Sequence, residues 1–279
     1  MALTYAPVRT RAQRPAISAR KKKRSFLPPR WLSPIVLILL WQLASSTGVL
    51  HEDTLASPVK VAGVGWELLL NGELIEALAV SGQRVAIGFL IGAVVAIVLG
   101  VITGLSRVGD AVLDSPLQML RTLPFLGLSP LFIVWFGIDE LPKVILVALG
   151  TLFPLYLGTY AGIRNTDAKL IEATRVLGFT RTEQILHVVL PGALQQTLVG
   201  LRQALGMAWL ALIIGEQVNA NAGLGFMINN AREFLRTDVI VVGLIVYAVL
   251  GLGSDVLVRF IERRALQWQP VLTRTSRSS

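Results

Sequence analysis

The sequence predicts an all-α integral membrane protein with six transmembrane helices, on three observations. Of its 279 residues 53% are hydrophobic and only 15% charged, with a mean hydropathy of +0.65, a balance typical of chains that live in lipid. Apolar runs recur at a length of roughly twenty residues, enough to cross the hydrocarbon core of a bilayer as helix. The net charge of +9 is unevenly placed: Arg9, Arg11, Arg14, Arg20, Lys21, Lys22, Lys23, Arg24 and Arg30 all precede the first apolar run, and no acid lies among the first thirty residues. A basic block in that position is a topology determinant rather than a nucleic-acid arm, and it can also touch anionic headgroups.

In order along the chain, residues 1–30 read as a basic, disordered cytosolic tail. The run that follows is long and lacks a clear small-residue cleavage site, which argues against a cleaved signal peptide. The first span is expected at about Trp31 to Leu50, leading outward, with Trp31 and Trp41 as interfacial or packing aromatics. His51 to Gln83 is polar and acid-rich, with Glu52, Asp53, Glu67, Glu73 and Glu76 against Lys60 alone, and its shortage of basic residues puts it outside. Short surface helices are expected there over Trp66 to Leu70 and Leu74 to Val80.

The second span, Arg84 to Leu105, carries Gly88, Gly92, Ala96, Gly100 and Gly104 at four-residue intervals. Such a stripe lets another helix come close, either inside the bundle or across a subunit boundary. The third, Leu117 to Gly137, should be kinked by Pro124 and Pro130. The fourth, Lys143 to Ile163, delivers the chain to the cytoplasm. A fifth over Leu198 to Val218, an outside loop from Asn219 to Asp238 and a sixth over Val239 to Phe260 complete the set. They leave both ends inside, with a cytosolic C-terminal tail over 269–279.

Between the fourth and fifth spans lies a polar island, residues 167–191. Thr166 or Asp167 is a suitable N-cap for a short helix whose Leu170, Ala173, Thr174 and Leu177 share one modest apolar face. Gly178 supplies the left-handed residue that ends such a helix. Thr180 and Glu183 form a capping box for a second helix, and Pro191 is where helical hydrogen bonding must be interrupted. A helix-Gly-helix elbow results, too short to bury both of its apolar faces alone.

Glu172-Ala173-Thr174, Gly178 and Val188-Val189-Leu190-Pro191, at these spacings, resemble the EAA motif of the permease subunits of bacterial ABC importers. Thr174 stands where the family has alanine and Val188 where it has isoleucine, both small changes. Resemblance extends over roughly residues 31–268. The stretches Leu120 to Phe125, Trp135 to Glu140 and Asn230 to Asp238 are similar to the aliphatic sulfonate permeases and their taurine and nitrate relatives.

The resemblance implies a type I importer permease fold (MetI-like) of six spans in the inner membrane, working as a homodimer. It further implies two ATPase subunits inside, holding ATP and Mg, and a solute-binding protein outside. In such a permease the elbow is the coupling helix that docks on the ATPase, so Glu172, Ala173, Thr174, Gly178, Val188, Leu190 and Pro191 are the expected coupling residues.

The chemistry absent from the sequence fits a non-enzymatic subunit. Lys21, Lys22, Lys23, Lys60, Lys143 and Lys169 are its only lysines and none follows a glycine, so there is no P-loop here. Without cysteine there are no disulfides and no thiolate metal sites, and His51 and His187 are too far apart in sequence to suggest a metal site. Neither a cofactor nor nucleic acid is expected on this chain.

Asn230 to Phe234 reads as an ion-paired structural segment. The ionisable residues near the spans are Arg84, Arg121, Arg202, Glu216 and Asp255, within about two turns of a membrane face, where snorkelling accounts for most of them. Arg121, Pro124, Pro130 and Glu216 are candidates for lining a translocation path, and Glu216 could instead bond to the adjoining loop. An energy-independent channel or secondary carrier is the alternative class.

Overall fold

The computed structural model describes residues 32–52 and 54–267. The basic tail over 1–30, Trp31, Asp53 and the C-terminal tail over 269–279 lie outside the described residues. The chain separates into a unit ending at Leu40 and a second beginning at Trp41. Helix α1, Leu32–Ser46, runs through that boundary. Apolar residues lie on every side of it, with Leu37 and Leu39 among the most exposed. At 1.5 Å per residue α1 is roughly 22 Å long, short of a full hydrocarbon thickness.

The rest of the described chain is also helical: α2 Pro58–Leu70, α3 Glu73–Leu105, α4 Arg107–Gly109, α5 Ser115–Thr122, α6 Ser129–Phe136, α7 Glu140–Arg164, α8 Ala168–Val176, α9 Arg181–Gln184, α10 Leu190–Asn219, α11 Leu224–Glu233 and α12 Thr237–Ala265. Among the described residues, four helical runs are long and apolar enough to cross a membrane: α3, α7, the continuous stretch Arg181–Val218, and α12.

Helix α7 is the centre. The small-residue stripe of α3 lies against it: a Cβ on Gly88 would meet Val147 Cβ at 2.7 Å, and one on Gly100 would meet Thr159 Cβ at 2.8 Å. Ala96, in the same stripe, is fully buried. The stripe is therefore a packing face inside the bundle. On its other side α7 presents Gly158 to Gly200 of α10, where an added Cβ would sit 2.8 Å from the Gly200 Cα. Close backbone approach on both sides lets apolar helices gain dispersion contact without large side chains.

Four expectations are corrected. The second span begins at Glu73 rather than Arg84, because α3 continues unbroken for 33 residues. Gly72, at φ +87°, turns the chain into it, and Glu73 and Glu76 favour its N-terminal end. The separate surface helix over Leu74 to Val80 is thus the first part of α3, while the one over Trp66 to Leu70 is the last part of α2.

The third span is broken rather than kinked. Helix α5 ends at Thr122, a 3-10 turn occupies Phe125–Leu128, and Pro130 falls in the first turn of α6, where it costs no hydrogen bond. The stretch still follows the whole length of α7. Asp110 and Asp114 accept hydrogen bonds from Tyr160 and Tyr156 (2.8 and 3.0 Å), Asp110 also pairs with Arg164, and Asp139 caps the opposite end of α7.

The fifth helical run starts well before Leu198. Pro191 does not stop it: a π-helical turn over Ile185–Val189 carries Arg181 through to Val218, with Leu190 N donating to Ile185 O. The wider turn makes room for the proline ring against the preceding turn. Finally, Arg84 does not snorkel. Its side chain is only 7% exposed and fully paired, as described next.

Candidate functional site

At the Arg164 end of α7 the chain forms the elbow. Asp167 caps α8 by accepting from Lys169 N, 2.9 Å. The helix closes with Phe179 N donating to Thr174 O (3.0 Å) and Gly178 N donating to Arg175 O (3.1 Å), Gly178 having φ +83°. That is a Schellman closure, which needs a left-handed residue at this position. Thr180 opens α9 with both halves of a capping box: Glu183 N donates to Thr180 Oγ1 (3.4 Å) and Thr180 N donates to Glu183 Oε2 (2.8 Å). The elbow is anchored by Ile171 and Leu190, which pack on buried Ile163, Val189 and Ala193. A cavity of about 480 Å³ lies under it, lined by Leu105, Ile171, Arg175, Phe179 and Ile185 among others.

Most of the face expected to be apolar points outward. Leu170 and Ala173 are exposed, Val176 is 88% and Leu177 74% exposed, and Ile171 and Thr174 form the inner side. Thr174 Oγ1 donates to Ile171 O at 2.9 Å, so the hydroxyl that replaces alanine is satisfied locally. Glu172 is exposed with no partner among the described residues, and Val188, Leu190 and Pro191 are half-buried along the π turn and the start of α10. The seven candidate coupling residues thus fall on one continuous elbow.

At the opposite end of the bundle lies a cluster of charges. The Glu216 side chain is completely buried and accepts from Arg84 Nη1 (2.7 Å), Ser81 Oγ (2.8 Å) and Gly225 N (2.7 Å), with Tyr247 Oη at 3.4 Å. Arg84 also donates to Ala222 O (2.6 Å) and grips Glu140 bidentately, Nε to Oε2 at 2.5 Å and Nη2 to Oε1 at 2.7 Å. Lys143 Nζ reaches Glu140 Oε1 at 3.2 Å and Asp139 O at 3.0 Å. Ser81 Oγ accepts from Leu224 N, 2.9 Å. This clasp ties α3, α7, α10 and α12 to the loop before α11.

Gly223, at φ +114°, lets the loop pass: an added Cβ would lie 2.6 Å from the Glu216 carboxyl carbon and 2.8 Å from Arg84 Nη1. Glu216 therefore holds the adjoining loop. Ser81, Arg84 and Tyr247 were not foreseen as its partners, nor Glu140, itself paired with Lys143, as the group that holds Arg84 from the other side. The available signal was the presence of opposite charges in apolar runs, which lipid tolerates only when paired.

The other path candidates lie elsewhere. Arg121, in the last turn of α5, lines a cavity of about 570 Å³ with Phe153, Pro154 and Leu157 of α7 and Gln203, Met207 and Leu210 of α10. Pro124 and Pro130 are exposed at the break between α5 and α6. Arg121 and Glu216 thus face different surroundings. The segment over Asn230 to Phe234 is hydrogen-bonded rather than ion-paired: Arg232 Nη2 donates to Asn229 Oδ1 at 2.7 Å, and Asn229 Nδ2 donates to Glu233 Oε1 at 3.2 Å.

Comparison with known proteins places this geometry. Residues 88–267 match the family described as binding-protein-dependent transport system inner membrane component. The aliphatic sulfonates transport permease protein SsuC of Escherichia coli is 50% identical over 240 residues, covering 86% of this chain and 91% of that protein. The protein of the same description from Bacillus subtilis is 44% identical, covering 85% and 86%. The taurine transport system permease protein TauC of Escherichia coli is 32% identical, covering 84% and 86%.

Proposed function

Because the chain belongs to the binding-protein-dependent transport system inner membrane components, and is thus an ABC importer permease, we propose that it moves aliphatic sulfonates inward on energy supplied through the elbow at 167–191. The substrate rests on the relatives: both sulfonate permeases are more similar to this chain than the taurine permease is. The coupling role rests on one observation. The elbow's backbone is closed at both caps, yet Val176 and Leu177 stand exposed on it, a rigid apolar knuckle with nothing from the described residues over it. Such a surface suits a partner protein.

The working complex in this reading is two copies of the chain, two ATPase subunits binding ATP and Mg, and a solute-binding protein on the far face. The bundle has six crossings, with the stretch from Asp110 to Asp139 as one of them, and both termini cytoplasmic. The elbow then lies inside and the clasp, with the loop from Asn219 to Asp238, outside. A loaded binding protein docks outside, ATP closes the ATPase pair, and the elbows carry that movement into α7 and α10, turning the cavity outward. Hydrolysis resets the cycle.

Uptake by vesicles carrying the full complex tests the reading. Pentanesulfonate should accumulate only with the binding protein present and ATP inside. Accumulation without ATP would favour a channel or secondary carrier, and accumulation of taurine or nitrate alone would move the assignment to those anions.

A further inference from the structure

Arg121 is the cation of the cavity between α5, α7 and α10, and the fold leaves it unexplained. Arg84 is spent on Glu140 and Glu216, Arg202 on Asp255 and Glu262, and Arg164 on Asp110. Arg121 has no acidic or hydrogen-bonding partner among the described residues, although it lines the cavity between α5, α7 and α10. The other polar side chain there is the Gln203 amide, likewise unpartnered among the described residues, and the remaining walls are apolar: Phe153, Pro154, Leu157, Met207 and Leu210. An unpaired guanidinium at membrane depth is expensive unless water or an anion meets it. A guanidinium and an amide at one point of an apolar trough match one kind of solute, a small monoanion with an aliphatic tail.

We infer that this cavity is a passage site for alkyl monoanions, with the sulfonate oxygens on Arg121 and Gln203 and the tail along Phe153, Leu157, Met207 and Leu210. The inference deepens the importer reading and rests on it. Its volume of about 570 Å³ is ample for a short alkanesulfonate. Gly206, also in its lining, faces open space, and Gly150 lets α7 come close to Met207 and Ala211 of α10. Because solute reaches the cavity only from the binding protein, the site should govern how fast a delivered molecule passes, while the binding protein sets the concentration at which uptake half-saturates.

The test is uptake of ethanesulfonate and pentanesulfonate by vesicles holding the complete complex, with subunit co-purification as the control for assembly. Arg121→Gln should lower the maximal rate for both solutes about tenfold, the scale of one lost charge-assisted contact. Arg121→Lys should recover part of it. Leu210→Asn should slow pentanesulfonate about fivefold more than ethanesulfonate, since it removes contact with the tail alone. Wild-type rates in an assembled Arg121→Gln complex would overturn the inference and leave Arg121 as a residue facing lipid headgroups, with the importer reading intact. An equal effect of Leu210→Asn on both solutes would overturn the tail assignment. Failure of the wild-type complex to take up either sulfonate would instead overturn the substrate reading, and this inference with it.

Discussion

The two ends of α7 solve opposite problems. At its Glu140 end the fold buries charge: Glu216, with a fully buried side chain, and Arg84 satisfy one another and the loop before α11, so that end is closed on itself. At its Arg164 end the fold satisfies backbone locally, by an Asp cap, a Schellman turn and a capping box, and leaves apolar side chains in the open. The clasp depends on partners far apart in sequence, and the elbow on neighbours. One end therefore holds the bundle together, and in the proposed reading the other offers its exposed apolar surface to the ATPase.

Breaking the clasp should have the largest effect. Glu216→Ala leaves Arg84 with one buried partner fewer and strands the Ser81 hydroxyl and the Gly225 N–H, and losing one member of a buried pair costs about 3–5 kcal/mol. The yield of folded chain and its melting temperature in detergent should both fall, and Glu216→Gln, which keeps the shape, should fall less. An Ala variant as stable as the parent would mean that water already shares the cluster.

The glycines sharpen the contrast. Gly223 and Gly178 both have positive φ, but a Cβ at Gly223 runs into the Glu216 carboxylate, whereas at Gly178 nothing lies within 4 Å. Gly223→Ala should thus destabilise by strain and collision together, and Gly178→Ala by strain alone, about 1–2 kcal/mol. Parallel thermal melts check the order, and equal losses would show that the clasp loop gives way easily. A smaller loss, about 1 kcal/mol, is expected for Thr180→Ala, which removes one cap of α9. It should be read as reduced protection of the elbow amides against hydrogen exchange, with the spans unaffected. The smallest expected effect is on Glu172→Ala, because this exposed side chain holds nothing in its own chain, and only attachment of the ATPase, measured by co-purification, should weaken slightly.

The elbow was legible in the sequence because caps are local rules: Asp167, Gly178, Thr180 and Glu183 specify their hydrogen bonds within a few residues. The stripe from Gly88 to Gly104 was legible as a close-packing face, and its partner α7 was not, since spacing carries no address. The continuation of α3 back to Glu73 was hidden by its acids, which look like a loop but suit a helix N-terminus. Pro191 was misleading because a π turn absorbs it. The clasp escaped because Arg84 and Glu216 stand 132 residues apart, and one-dimensional reading treats each as a charge near a span end.

The central claim, that the ATPase's work enters at the elbow, is tested most directly by Gly178→Val in the reconstituted complex, following sulfonate uptake and ATP hydrolysis together. A β-branched residue at φ +83° should distort the Schellman turn while touching no span, so the chain should still insert and fold. Uptake should be lost, either because the ATPase no longer attaches or because hydrolysis proceeds without transport. Uptake at the parental rate, with hydrolysis still tied to it, would contradict the account and reduce the elbow to a tolerant turn between two spans.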